Sequence, residues 1–412
     1  MLSIKLVLEE HGHKSIFFAM QHPENLTCEN SDYFVPYVDL SIVDGLKNKI
    51  KTAGRILYSF EAKRRLSKLL DEYKVDIIHI HNIYHHISPS ILHEIRKRGI
   101  PVVMTLHDYK MVCASYSMLL GNKPCEACCG GKYYNAVVKK CVKKSRYKSI
   151  LAAAEMYFHH NILNIYDIID VFISPSLFLK NKLKEMGFKK DIVHLPNFIN
   201  MQKFELGDNI SNPDDKKSIV YFGRLSHEKG LWTLLEASKL LKRDSIGRRI
   251  EIKIIGDGPI RDELKESVRA EGIDNVRFLG YLQGKELYQE INKSFAAVLP
   301  TECYENNPVS VLESFALSKP VVGARIGGIP ELVKDGETGL TFQPGNPDDL
   351  SKKILRMVSN PDKTAEMGRN ARELVEREFN AEKYYEKLID IYNRLINKGS
   401  LDGGSKKKKS HS

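Results

Sequence analysis

Ile219-Val220-Tyr221-Phe222-Gly223-Arg224-Leu225-Ser226-His227-Glu228-Lys229-Gly230 reads as a strand, a tight turn and the approach to a helix. The apolar run ends at Phe222, Gly223 permits a sharp turn, and two cations follow, Arg224 and Lys229, five residues apart. The run is continuous rather than alternating, which is the pattern of a parallel strand covered on both faces. The same unit recurs on both sides of this stretch. Apolar runs at 250–255, 276–279, 296–299 and 321–322 alternate with helical patterns at 231–241, 260–271, 285–293 and 309–317. Upstream, 75–80, 102–106 and 171–173 read as strands as well. The alternation predicts an α/β chain of two Rossmann-like, doubly wound domains facing each other across a cleft. Ligands in such sheets bind beyond the carboxyl ends of the strands, so the strand-to-helix turns carry the candidate site.

The domain reading is 1–196 for the first unit, with a cysteine-rich insert at 113–141, and 218–378 for the second. The seam at 197–217 is rich in Asn, Asp, Gly and Pro and contains Asn212-Pro213-Asp214-Asp215. A C-terminal helix is expected over 379–398, followed by a disordered basic tail at 399–412. Residues 3–10 read as the second half of a helix, followed by Gly12 and a strand at 14–20. The strand and glycine turn that normally open a doubly wound domain do not stand ahead of that helix.

Four turns of the second unit carry chemistry. In the first, cations at a helix start oppose the helix dipole, an arrangement that makes sense around an anion. Arg224 offers a forked donor and Lys229 a mobile point charge to one phosphate group. The second turn, Ile255-Gly256-Asp257-Gly258-Pro259, is sound turn-and-cap chemistry and little more. The third, Pro300-Thr301-Glu302-Cys303-Tyr304-Glu305-Asn306-Asn307-Pro308, is expected to start a helix with Asn307 as N-cap and Pro308 at the first position. The unpaired N–H groups there favour a diphosphate. Glu305 and Glu313 stand eight residues apart, and ionised carboxylates suit sugar and ribose hydroxyls; Glu302 is a rival for Glu305. The fourth turn holds Gly327-Gly328 and then Gly336-Glu337-Thr338-Gly339.

Gly-Arg-Leu-x-x-Glu-Lys-Gly, Gly-Asp-Gly-Pro, Glu-x7-Glu, Gly-Gly-Ile-Pro-Glu-Leu and Gly-x-Thr-Gly-Leu, in this order, resemble family 4 of the retaining glycosyltransferases. The resemblance implies the GT-B fold. It implies that Arg224 and Lys229 hold the donor diphosphate and stabilise it as leaving group. By the same resemblance Glu305 contacts the donor sugar, Glu313 the ribose, and His107 of Thr105-Leu106-His107-Asp108 the neighbourhood of the transferred sugar. Gly223, Gly256, Gly258, Asn306, Asn307 and Val309 complete the expected donor-binding set. The implied reaction moves a hexosyl group from a nucleotide-diphosphate sugar to a glycan or lipid-linked acceptor, with retention and without an obligatory metal or other catalytic cofactor. The alternative is an impaired relative that binds nucleotide-sugar or a partner without turnover. The family's usual opening Gly-Gly turn does not stand in this sequence. Asn306-Asn307-Pro308 replaces the frequent Gly-Phe-Gly, which implies a changed sugar preference.

The net charge is +11, of which Lys406–Lys409 supply four. Two other basic stretches stand out, one at 46–68 and one at 139–148. A solvated helix face and attraction to an anionic membrane surface both fit them. No zinc-finger, homeodomain or RRM signature accompanies the charge, so nucleic acid is not an expected partner. No apolar run reaches 18 residues and no signal peptide pattern opens the chain, so a cytoplasmic protein is expected, with the inner membrane face as its peripheral site. Cys113, Cys125, Cys128 and Cys141 have the spacing of a four-thiolate structural zinc site. Free thiols and disulfides stay open beside it, the latter disfavoured inside a cell.

Overall fold

A computed structural model describes residues 1–37, 46–84, 86–204 and 217–407. The first unit carries β1 (Ile78–His81), β2 (Val102–Thr105), the short antiparallel pair β3 (Leu119–Leu120) and β4 (Lys123–Pro124), β5 (Val171–Ser174) and β6 (Ile192–His194). Its main sheet runs β1-β2-β5-β6, all parallel. The second unit carries β7 (Ser218–Phe222), β8 (Glu251–Ile255), β9 (Val276–Gly280), β10 (Ala296–Leu299), β11 (Val321–Ala324) and β12 (Gly339–Phe342). These six parallel strands are ordered β12-β11-β10-β7-β8-β9. The order reverses direction between β7 and β10, the crevice at which doubly wound sheets bind ligands. β7, β10, β11 and β12 are buried along their whole length, in keeping with helices on both faces.

Two apolar clusters lie on the two faces of the second sheet, one built around Ile219, Leu234 and Ile354, the other around Val220, Phe315 and Leu332. Alternate residues of the same strand feed opposite clusters, the period-two consequence of pleating. The first unit packs Leu66, Leu92, Met104, Phe172 and Leu179 into one core. Helix Phe60–Glu72 is started by Ser59, whose hydroxyl accepts from the Ala62 N–H, and it buries Ala62, Leu66, Leu69 and Leu70 along one stripe.

Two expectations need correction. Residues 14–20 do not form a strand: only Met20 bridges, to Val35, while Ile16 and Phe18 pack onto the first core as side chains. Their apolar pattern reports burial and not pairing. The seam lies largely outside the described residues, with 205–216 left out, as do 408–412 of the tail. The C-terminal helix, Ala381–Lys407, takes in 399–407, which composition assigns to a disordered tail. Helix elongation adds one hydrogen bond per residue, so a packed stem can extend over a polar sequence. That stem belongs to the first unit: Tyr384, Leu388, Ile391 and Tyr392 form a cluster with Val103, Ile173 and Leu195. The chain thus returns across the seam and covers the sheet it began with.

Candidate functional site

The turn after β7 and the turn after β10 meet at the sheet's crevice. Gly230 has φ 67, and a Cβ there would lie 1.8 Å from the Pro300 carbonyl oxygen, so only glycine lets the two turns pack so closely. Glu302 N donates to the Glu228 carbonyl at 2.9 Å and locks the two together. The result is that Lys229 Nζ lies 2.5 Å from Glu305 Oε1, both side chains largely buried. Burial pulls the Lys229 ammonium down, and the nearby Glu305 carboxylate outweighs it and raises its pKa. Lys229 is therefore a fixed positive charge at neutral pH. Arg224 stands exposed in the same turn, its backbone carbonyl accepting from the Tyr221 hydroxyl at 2.8 Å.

Glu302 is tied elsewhere: the Thr233 hydroxyl donates to its Oε1 at 2.7 Å. This separates it from Glu305. Gly223 follows β7, and a Cβ at Gly256 would lie 1.9 Å from the Gly223 carbonyl oxygen. Gly256 and Gly258 thus serve the stacking of turn on turn, at Gly223 and Leu225 respectively.

The helix after β10 runs Val309–Ala316, with Val309 exposed at its first position. Asn307 is not its N-cap; Pro308 takes that place and provides no capping side chain. Asn307 is buried and engaged instead by the seam, where Asn197 N donates to its Oδ1 at 3.2 Å and Asn197 Nδ2 to its carbonyl at 2.9 Å. The cap expectation shifts by one residue because tertiary contact outcompetes local capping. Glu313 lies further along the helix; burial pushes its carboxyl up to about 7, opposed by a hydrogen bond from Tyr288.

The first unit closes the other wall. His107 follows β2, and its Nε2 lies 2.7 Å from His81 Nδ1. His79 stacks on His81 at 4.4 Å between ring centres and bonds the Thr105 and Tyr392 hydroxyls, each at 2.7 Å. Burial lowers the pKa of all three, that of His79 to about 3, so the cluster is neutral at physiological pH. Asn306 spans the cleft: its Nδ2 donates to the His107 carbonyl at 2.6 Å and its Oδ1 accepts from the Tyr109 hydroxyl at 2.9 Å.

Sequence reasoning missed two further cross-cleft contacts. Glu331 accepts from the backbone N–H of Leu177 at 2.9 Å and of Phe178 at 2.5 Å, capping helix Leu177–Glu185 of the opposite unit. The Tyr304 hydroxyl donates to Glu126 Oε1 at 2.9 Å. Neither had a sequence signal beyond lying in a strand-end turn or an insert. The insert's Cys113, Cys125, Cys128 and Cys141 line one small cavity, all as free thiols. Among the described residues no group of three or more His, Cys, Asp or Glu side chains is set to hold a metal ion as it stands. No helix among them is long and apolar enough to cross a membrane.

Comparison with known proteins bears on the family and the fold. Residues 2–203 match the description "Glycosyltransferase Family 4" and residues 203–374 match "Glycosyl transferases group 1". The α-D-kanosaminyltransferase of Streptomyces kanamyceticus is 28% identical over 183 residues, 44% of this chain and 47% of that enzyme, so the match spans about half of that relative's length. Sucrose-phosphate synthase from Thermosynechococcus elongatus superposes with a TM-score of 0.69 at 19% identity, covering 96% of this chain and 92% of that one. HepE of Anabaena, solved with UDP-glucose, superposes with a TM-score of 0.59 at 18% identity over 81% of this chain and 82% of its own. At such identities the likeness is one of fold, the two-domain GT-B architecture.

Proposed function

The chain belongs to glycosyltransferase family 4, and we propose that it moves a hexosyl group from a nucleoside-diphosphate sugar to a glycan or lipid-linked acceptor with retention of configuration. The observation that carries the reading is the Lys229–Glu305 pair at the crevice between β7 and β10, beside the exposed guanidinium of Arg224. A cation held by one carboxylate, next to a helix start, is a ready partner for a diphosphate. In the reaction the bond between the anomeric carbon and the diphosphate oxygen breaks, and its electron pair leaves on the phosphate. Lys229 and Arg224 stabilise that developing charge, a contribution of roughly 3–4 kcal/mol for a well-placed donor. The acceptor hydroxyl forms the new bond on the face that the diphosphate leaves, and its proton passes to the departing diphosphate oxygen. Glu305 orients the sugar, Glu313 accepts from ribose, and His107 faces the sugar from the opposite wall.

A panel of UDP, GDP, ADP and their sugars, read by thermal shift, tests the donor site. One nucleotide should stabilise the parent chain and leave an Arg224→Ala/Lys229→Ala variant unmoved. No shift with any nucleotide in the folded parent would sink this reading and favour a relative that binds some other partner.

A further inference from the structure

Between Glu126 and Glu155 the chain contains no carboxylate side chain at all, yet it carries Lys132, Lys139, Lys140, Lys143, Lys144, Arg146 and Lys148. All seven are exposed, and none forms an ion pair among the described residues. The other basic stretch behaves differently. There Arg65 pairs with Glu61 at 3.2 Å, and Arg64, Arg65 and Lys68 share a groove with Asp32, Asp71 and Glu72. A solvated face with carboxylates interspersed describes 61–72. It does not describe 132–148.

Apolar exposure coincides with the uncompensated charge. Helices Asn135–Val138 and Arg146–Tyr157 pack on each other over a small core of Tyr133, Ala136, Ala153 and Met156. Outside that core they leave Tyr134 (53% exposed), Val138 (73%), Tyr147 (60%) and Ile150 (49%). Tyr147 and Ile150 are three apart and share one helix face. The loop joining the helices holds Lys140, Lys143 and Lys144 at φ 50, 50 and 54, a left-handed conformation uncommon for lysine, with all three side chains outward. Strained backbone that persists at a surface points to a constraint on what the surface presents.

We propose that residues 132–150 form a docking surface for an anionic lipid bilayer. Cations interspersed with tyrosine and aliphatic side chains match both parts of such a surface: headgroup phosphates attract the charge, and the interface takes up the amphipathic rings. Glu126, six residues before this surface, accepts from the Tyr304 hydroxyl next to Glu305 and so ties the same insert to the cleft. This rests on the transferase reading only in so far as it gives a lipid-linked acceptor its route to the site.

Vesicle sedimentation tests it, with phosphatidylcholine alone and with added phosphatidylserine, at low and high salt. The full chain should bind only the anionic vesicles and weaken with salt. A Lys140→Asn/Lys143→Asn/Lys144→Asn variant suits the left-handed backbone and removes three charges. It should lower partitioning about a hundredfold, at about fivefold per cation. Tyr147→Ser/Ile150→Ser should remove the salt-resistant part of binding. Equal binding to neutral vesicles, indifference to salt, or a triple variant that binds like the parent would each overturn the proposal. So would capture of a single-stranded oligonucleotide by a chain that ignores vesicles. The nucleotide thermal shift, run on the same proteins, keeps the two readings apart. Vesicle binding without any nucleotide shift would leave the surface standing and sink the transferase; a nucleotide shift without vesicle binding would do the reverse.

Discussion

Asn306 Nδ2 donates to the backbone carbonyl of His107 at 2.6 Å, joining residues 199 positions apart across the cleft. With the Tyr109 hydroxyl on its Oδ1, this one amide is satisfied on both sides by the opposite domain. The turn Asn306-Asn307-Pro308 therefore acts as a clasp between the domains. Asn306→Ala should cost about 1–3 kcal/mol of stability, from two hydrogen bonds and the carbonyl left behind. Denaturant unfolding measures it, and an unchanged midpoint would show that the clasp contributes nothing.

Glu331 holds the second contact. Its two carboxylate oxygens take the first two N–H groups of helix Leu177–Glu185, and the Ser176 hydroxyl takes the third, from Leu179. Glu331→Ala should destabilise by about 1–2 kcal/mol, and Glu331→Gln by less, since it keeps one acceptor but loses the charge facing a helix N-terminus. The same unfolding experiment reads both. A Gln variant as stable as the parent would mean the charge is irrelevant, and equal losses for the two variants would mean that a neutral amide replaces none of the cap.

Glu313 gives a pH dependence with a definite sign. Its folded pKa, about 7, lies above the ordinary 4.5, so between these values the folded chain keeps a proton that the unfolded chain has lost. This contribution to stability is present at low pH and is lost as pH rises through that window. In the proposed donor complex Glu313 accepts from the ribose, more strongly as the ionised carboxylate, so nucleotide binding is expected to expel the proton. Affinity should rise by up to about tenfold per unit between pH 6 and 7 and level off above. Isothermal titration in two buffers of different ionisation heat detects the proton release, which Glu313→Gln should abolish.

The insert's thiols should differ in reactivity. Cys129 is exposed, whereas burial pushes the Cys128 thiol up to about 12. A thiol-exchange reagent at neutral pH should label Cys129 quickly and Cys128 only on unfolding, as peptide mapping can show. Rapid labelling of both in the native chain would contradict the buried cavity.

Much of this architecture was legible in the residues. The strand ends at Phe222, Ile255 and Leu299 fall where the apolar runs stop, because a parallel strand buried on both faces has no polar residue to blur its end. Lys229 and Glu305, named from separate turns, meet at 2.5 Å because the switch point of the sheet brings those turns together. What was not legible is long-range. Nothing local marks Asn307 as the partner of Asn197 instead of a helix cap, or Glu331 as the cap of a helix in the other domain. Short strands such as Ile192–His194 lack enough period to register, and 14–20 looked like a strand because packed apolar side chains give the same pattern as paired ones.

The most direct test of the central claim is nucleoside-diphosphate release from a panel of UDP-, GDP- and ADP-sugars, with a membrane extract as acceptor, comparing the parent chain with Lys229→Ala. The account predicts release from one donor class, reduced about 10²–10³-fold in the variant, as expected when a donor to the departing phosphate is lost. Equal rates in the two proteins, or no release from any donor by a folded parent, would contradict it.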